Sequence, residues 1–409
     1  MKILELAEFY SQRGGGVRTY VEQKFEAAKA AGHSLCVIAP GPEDKVEPRS
    51  GGKLIWVKSP QIPFDKRYHL FWNQKPIDQI VSQERPDFIE GASPWRGAWI
   101  AGRQSPSIPK ALVIHQDPVL SYPRTVLRNL LSERQIDAYF AWFFRYFRRL
   151  QELYDTSIVA SSFMAERLVN VGLKKPELVP FGIDLDEFTR AKGSESLRLS
   201  MLKECGVETP EAKLLITISR HHPEKRLPMM IEAFRQASSD APMGLYIVGD
   251  GPGRAKIEKL AAKTHGVHIA GFINDRRRIA SMLASSDAYI HGCPTETFGM
   301  VIAEALSAGL PQILPSAGGA ADLATPDCAE FFQPDNAQEC ASAIARLFER
   351  DQEKLRDAAL QSAAKVTATA DHFRALFAAY ERLVDGDSDR RRVEQLPVRN
   401  DLSVCREVA

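Results

Sequence analysis

The stretch ETFGMVIAEALSAG (296–309) carries two carboxylates in unexpected company. Phe298, Val301, Ile302, Ala305 and Leu306 recur at helical spacing, which predicts a helix with a buried face. Glu296 stands just before that helix, and Glu304 sits among its apolar residues. A buried carboxylate needs hydrogen-bonding partners, because a lone buried charge is costly. At roughly 100° per residue, Glu304 lies roughly 80° round from Glu296 if both are helical. That is not an acid/base pair on one stripe. It suits two carboxylates that touch different parts of one elongated ligand. Thr295 or Thr297 could cap the helix, leaving the N–H groups of Phe298, Gly299 and Met300 facing whatever binds at its mouth. The plainer alternative has Glu296 complementing the helix dipole and Glu304 exposed.

Three other loops could hold charge. SQRGGGVRTYVEQ (11–23) places Gly14, Gly15 and Gly16 between a strand and a helix, where backbone N–H groups can approach an anion, although a flexible turn explains the glycines equally well. ISRHHPEKRL (218–227) follows a strand and offers Arg220 and Lys225 to phosphate oxygens, whereas a basic loop standing alone is more often simply solvated. GDGPGR (249–254) imitates part of a dinucleotide fingerprint, but Pro252 and the spacing break it, leaving a strand-to-helix turn near a ligand.

The elements that must position these loops alternate. KILELA, LCVIAP, KLIWV, DFIEG, ALVIHQ and SIVAS read as strands, with a helix from Val17 to Ala31 after the first. Pro180 and Gly182 punctuate the chain near ELVPFGIDLDEF (177–188). A second series follows: LLITISR, LYIVGDG, VHIAGF, AYIHG and PQILPS, separated by helix-length segments. Two α/β runs of this kind predict two Rossmann-like domains facing each other across a cleft, with ligands at the carboxyl ends of the strands. DHFRALFAAYERLV (371–384) reads as a late amphipathic helix, and the polar stretch 386–409 as a mobile tail.

Bulk properties fit that division. A chain of 409 residues exceeds the usual size of one core. A formal charge of +1 provides no global field to recruit nucleic acid or to drive the whole protein onto a membrane. The six cysteines show no CxxC pair and no zinc-like spacing with histidine, which favours free thiols in a reducing cytosol. MKILELAEFY reads as a first strand and not a signal peptide, and no apolar run is long enough to span a bilayer.

With these residues in order, the chain resembles the retaining nucleotide-sugar glycosyltransferases of family 4. Glu296, seven residues, Glu304, then Gly309–Leu310–Pro311 and Gly318–Gly319 match the family's most distinctive signature. The glycine-rich first loop, VIHQD with His115, VPFGIDLDEF, Arg220 with Glu224 and Lys225, and GDGP match in the same order, to about residue 384. The resemblance implies an α/β GT-B fold. Residues 1–182 would form an acceptor domain, joined by a helix over 368–385 crossing back, and 183–367 a nucleotide-sugar donor domain. It also implies site roles. Glu296 would bind donor-sugar hydroxyls and Glu304 the ribose, with the amides of Phe298, Gly299 and Met300 against sugar and diphosphate. Arg220 and Lys225 would neutralise the leaving diphosphate without a metal. His115 would stand near donor sugar and acceptor, Gly15 and Gly16 at the diphosphate or acceptor side, and Ile273 of GFIND at the base. With Glu296, these three polar residues make the catalytic set: His115, Glu296, Arg220 and Lys225. The family retains anomeric configuration, with the leaving phosphate helping to deprotonate the acceptor; no residue stands out as a covalent nucleophile. Two departures bear on sugar preference: HGCPTE in place of the usual Pro-Ser before the first glutamate, and Asp322 where glutamate usually follows the Gly-Gly pair.

The expected reaction is transfer of a hexose from a nucleotide sugar, UDP favoured over GDP, to a hydroxyl of a glycolipid or membrane-lipid precursor at the cytoplasmic face of the membrane. No cofactor, metal or nucleic acid is expected. Residues 124–149 interleave six arginines with aromatics, as a helix in an anionic membrane interface would, or one that packs its aromatics inward. The alternatives are transfer to a soluble sugar or polysaccharide precursor, and a non-catalytic glycan- or nucleotide-binding protein, which the intact charged set disfavours. A nicotinamide-dependent oxidoreductase lacks its GxGxxG and acidic partner.

Overall fold

A computed structural model describes residues 1–11, 16–62, 65–128, 130–239 and 241–394. The chain forms two compact units: Met1–Val113 with Glu152–Thr156 and the chain from Arg374 onward, and Ile114–Gln151 with Ser157–Phe373. The boundary expected at residue 182 falls within the second unit.

In the first unit, β1 (Lys2–Ala7), β2 (Ser34–Gly41), β3 (Lys45–Arg49), β4 (Gly52–Lys58), β7 (Phe88–Ala92) and β8 (Lys110–Ile114) lie in the order β8-β7-β1-β2-β4-β3. Neighbours are parallel except the hairpin β3–β4. A short antiparallel pair, β5 (Gln61–Ile62) and β6 (Asp65–His69), stands apart. Central β1 is buried almost throughout, with Ile3, Leu4 and Leu6 at 0 % exposure. That is the pattern of a parallel strand covered on both faces. Helix Gly16–Ala30 contributes Tyr20, Val21, Phe25 and Ala28 to the core. The last helix runs Thr369–Glu394, so the first nine residues of the expected tail continue it, and 395–409 lie outside the described residues.

This unit also buries charge. Lys24 sits between Glu5 and Glu90, 3.0 Å from Glu5 and in contact with Glu90. Tyr380 of the last helix donates to Glu90 at 2.6 Å and stacks on Phe88 at 4.1 Å.

The second unit holds β9 (Thr156–Val159) paired in parallel with β10 (Glu177–Leu178), Thr156 itself belonging to the first unit. It also holds β11 (Lys213–Ile218), β12 (Met243–Val248), β13 (Val267–Gly271), β14 (Ala288–Ile290), β15 (Gln312–Pro315) and β16 (Ala329–Phe332). The last six form one parallel sheet ordered β13-β12-β11-β14-β15-β16. The order reverses at β11, so the loops after β11 and β14 open side by side. That is the switch point where open α/β sheets bind ligands.

Candidate functional site

Glycines shape the loop between β14 and helix Met300–Ser307. Gly299 takes φ +91° and forms the N-cap with no side-chain cap. A Cβ there would lie 2.8 Å from Ile302 Cδ1, and the left-handed conformation strains other residues. Neither threonine caps the helix, contrary to expectation: Thr295 Oγ1 lies 3.5 Å from Cys293 Sγ instead. The first-turn N–H groups of the helix are thus left without a side-chain acceptor. Gly318 and Gly319 back the same loop. Gly319 N–H donates to the Glu296 carbonyl at 2.7 Å, and Cβ atoms on the pair would lie 2.7 Å from Pro294 O and 2.5 Å from Thr297 O.

Glu296 is not helical; it stands in the approach loop. Lys225, from the short turn Pro223–Lys225 after β11, donates to Glu296 Oε2 at 2.6 Å. Burial pushes the Glu296 carboxyl up, but Lys225 and then His291 outweigh it and hold it far below the usual carboxylate range. Burial pulls the Lys225 ammonium down, and Glu296 more than reverses this. Both partners are therefore ionised at neutral pH. The two side chains remain 18 % and 17 % exposed, so the pair is open enough for a ligand to take either partner's place.

Glu304 is 5 % exposed, which excludes the solvated alternative. Arg276 Nη2 donates to its Oε1 at 2.9 Å and lies over Phe188, 4.9 Å from the ring centroid. Burial raises the Glu304 carboxyl, and Arg276 opposes the rise. Arg276 opens helix Arg276–Ala284, whose N-cap Asp275 accepts from Arg277 and Arg278 N–H at 3.0 and 3.3 Å. Ile273, two residues earlier, packs against the core. The loop after β13 and the Glu304 helix are thereby joined.

Arg220 is exposed and makes no ion pair among the described residues. The GDGPG turn packs on the backbone beside it: Gly253 N–H donates to His221 O at 2.8 Å, and His221 N–H to Asp250 O at 2.9 Å. His115 follows β8 directly and stacks on Phe181 at 5.7 Å, which meets Phe298 edge-on at 5.6 Å. These rings tie His115 to the Glu296 loop. Gly16 opens its helix in the first unit with nothing within 4 Å of a Cβ position; Gly15 lies outside the described residues.

Sequence spacing did not reveal several neighbours. Arg226, beside Lys225, is buried at φ +58° and donates to Asp335 at 2.6 Å. Burial, with Arg128 nearby, pulls its guanidinium down to about 10. Asp322 accepts from Ser162 Oγ at 2.9 Å and from Phe163 N–H at 3.3 Å, a local structural role. His291, Cys293 and Glu296 place their ligand atoms within 4.8 Å of one another, the one such group among the described residues. The five described cysteines are free and buried.

Comparison with known proteins completes the picture. The family model for glycosyltransferase family 4 matches residues 14–187, and that for glycosyl transferases group 1 matches residues 205–366. The chain belongs to the family 4 glycosyltransferases. Over 334 residues it is 28% identical to a GDP-mannose-dependent alpha-(1-6)-phosphatidylinositol dimannoside mannosyltransferase of Mycobacterium tuberculosis, covering 80% of this chain and 82% of that one. A GDP-mannose-dependent alpha-mannosyltransferase of Corynebacterium glutamicum is 26% identical, covering 79% and 74%. Sucrose-phosphate synthase from Thermosynechococcus elongatus superposes with a TM-score of 0.73 at 18% identity, over 94% of this chain and 99% of that one. The fold is GT-B.

Proposed function

We propose that this glycosyltransferase transfers mannose from GDP-mannose, with retention of configuration and without a metal, to a hydroxyl of a phosphatidylinositol-type glycolipid. The expectation of a uridine donor gives way to guanosine, because the relatives matched over about four-fifths of the chain are GDP-mannose-dependent. The observation that carries the proposal is the ionised Glu296–Lys225 pair at an uncapped helix mouth, with Glu304 and Arg276 deeper in the same loop cluster.

Glu296 accepts hydrogen bonds from sugar hydroxyls, and Glu304 does so from ribose hydroxyls. Lys225 and exposed Arg220 take the charge that grows on the diphosphate as the glycosidic bond breaks. The N–H groups of the Met300 helix lie ready for the same oxygens. His115, held by Phe181, orients the sugar or acceptor. The departing phosphate oxygen accepts the acceptor proton on the same face, which preserves configuration.

The acceptor side supports a membrane lipid. In 122–149, Phe143, Phe144 and Phe147 pack inward, while Tyr122, Val126, Leu130, Tyr139 and Trp142 are 54–80 % exposed. Arg134, Arg145 and Arg149 are exposed beside them. Apolar and basic groups so mixed suit an anionic bilayer surface. No helix among the described residues is long and apolar enough to cross a membrane. We place the protein at the cytoplasmic face.

The test is transfer of labelled mannose from GDP-mannose to phosphatidylinositol mannosides in vesicles, with NMR assignment of the product anomer. An α-linked product supports the reading; a β-linked product rejects retention. Labelling of soluble sugars but not lipid favours the soluble-acceptor alternative.

A further inference from the structure

His291 and Cys293 have no part in the transfer proposed above, yet both crowd Glu296. They leave β14 on the same loop and are 5 % and 2 % exposed. His291 Nε2 lies 3.4 Å from Glu296 Oε2, an ion-pair distance at which it helps hold that carboxyl down, but the geometry falls short of a hydrogen bond. The two atoms are close without pointing at each other. Zinc holds imidazole nitrogen and carboxylate oxygen at roughly 2.0–2.2 Å, so neighbouring corners of its tetrahedron lie roughly 3.3–3.5 Å apart. The observed N···O spacing is that of two ligands of one ion. Cys293 Sγ, within 4.8 Å of both, supplies the soft third ligand that favours zinc over magnesium or calcium.

We propose that His291 Nε2, Cys293 Sγ and the Glu296 carboxylate form a zinc-binding site, and that zinc there competes with the donor sugar for Glu296. Three ligands leave one corner open, as in sites whose metal exchanges its fourth partner. Lys225, 2.6 Å from the same carboxylate, is the competing cation, and its flexible stem lets it withdraw when zinc enters. The loop is already shaped by Gly299, Gly318 and Gly319, so zinc is an exchangeable inhibitor and not a folding ion. The binding claim stands alone; the competition rests on the role given to Glu296 in the donor site.

The metal-free full chain is titrated with zinc alone against a chromophoric chelator, and with cobalt(II) as a spectroscopic substitute. One zinc per chain is expected, together with a thiolate-to-cobalt charge-transfer band. Cys293→Ser abolishes the band. It and His291→Gln each weaken zinc by roughly 100-fold or more, since loss of outer-shell partners alone costs roughly 10–100-fold. Melting curves confirm that each variant is folded, and the wild-type cobalt band decides sulfur ligation should a variant fail to fold. No stoichiometric zinc, no sulfur band, or undiminished affinity in the folded variants overturns the site. Excess GDP-mannose is expected to displace zinc. A chain that hydrolyses GDP-mannose yet keeps its zinc overturns the competition. A chain that binds zinc but no nucleotide sugar refutes the donor reading and leaves the metal site standing.

Discussion

Each unit pairs a lysine with glutamate, and the two arrangements differ in closure. Lys24, Glu5 and Glu90 are 0–1 % exposed. They come from a helix and two central strands, and Tyr380 closes the group from the last helix. The Lys24 ammonium also lies 5.7 Å from the Tyr380 ring centroid and 6.0 Å from that of Tyr20. Lys225 and Glu296 are 18 % and 17 % exposed, on two loops at the ends of strands. The first group spends its charge on holding four elements together. The second keeps its charge at a mouth, where a ligand can replace the partner. Similar side chains thus hold the fold together when regular elements enclose them and stay within reach of a ligand when loops present them.

The largest effect expected from breaking this contrast is on the closed side. Lys24→Met leaves two carboxylates in the core and should cost about 3–5 kcal/mol in urea unfolding. Lys225→Ala should instead lower kcat by roughly 10²–10³-fold, as loss of one charge-stabilising donor does, with little change in melting temperature. A Lys225 variant that unfolds like Lys24→Met would erase the distinction.

Glu8 sharpens the comparison, because it is a carboxylate of the closed region with no lysine. Burial pushes it up to about 7, against the N–H groups of Gly97 and Phe71 and the charge of Arg96. Folded chains therefore hold this proton more tightly than unfolded ones. The resulting stabilisation is complete below the ordinary glutamate range, falls as pH climbs toward 7, and is gone above it. Glu8→Gln should be more stable than wild type at pH 8 by up to about 3 kcal/mol, with the advantage vanishing near pH 4.5. Equal pH profiles would contradict the assignment. The smallest effect is Tyr380→Phe, about 2 kcal/mol for one hydrogen bond to a charged group, with transfer activity retained.

Much of this was legible in residue order. Every strand carrying a candidate residue was marked by an apolar run, and Glu296 and Glu304 stood out as charges in apolar company. Short or edge strands such as β3, β10 and β16 were not, because KVEPR, EL and AEFF lack a run long enough to distinguish from loop. The partner of Glu304 was invisible for a different reason: Arg276 lies 28 positions away, and only the packing of two helices brings them together. The threonine cap failed because Gly299 turns left-handed and takes the capping position itself. His291 read as part of the strand AYIHG and Cys293 as a loop residue, since their meeting with Glu296 depends on a fold-back packed against Gly318 and Gly319.

The most direct measurement compares wild type with Glu296→Ala for thermal stabilisation by GDP and for slow hydrolysis of GDP-mannose, alongside UDP- and ADP-sugars. The account predicts that GDP stabilises both proteins, through groups other than Glu296, and that only the wild type hydrolyses GDP-mannose. Hydrolysis undiminished in Glu296→Ala, or no stabilisation of wild type by any nucleotide or nucleotide sugar, would contradict it.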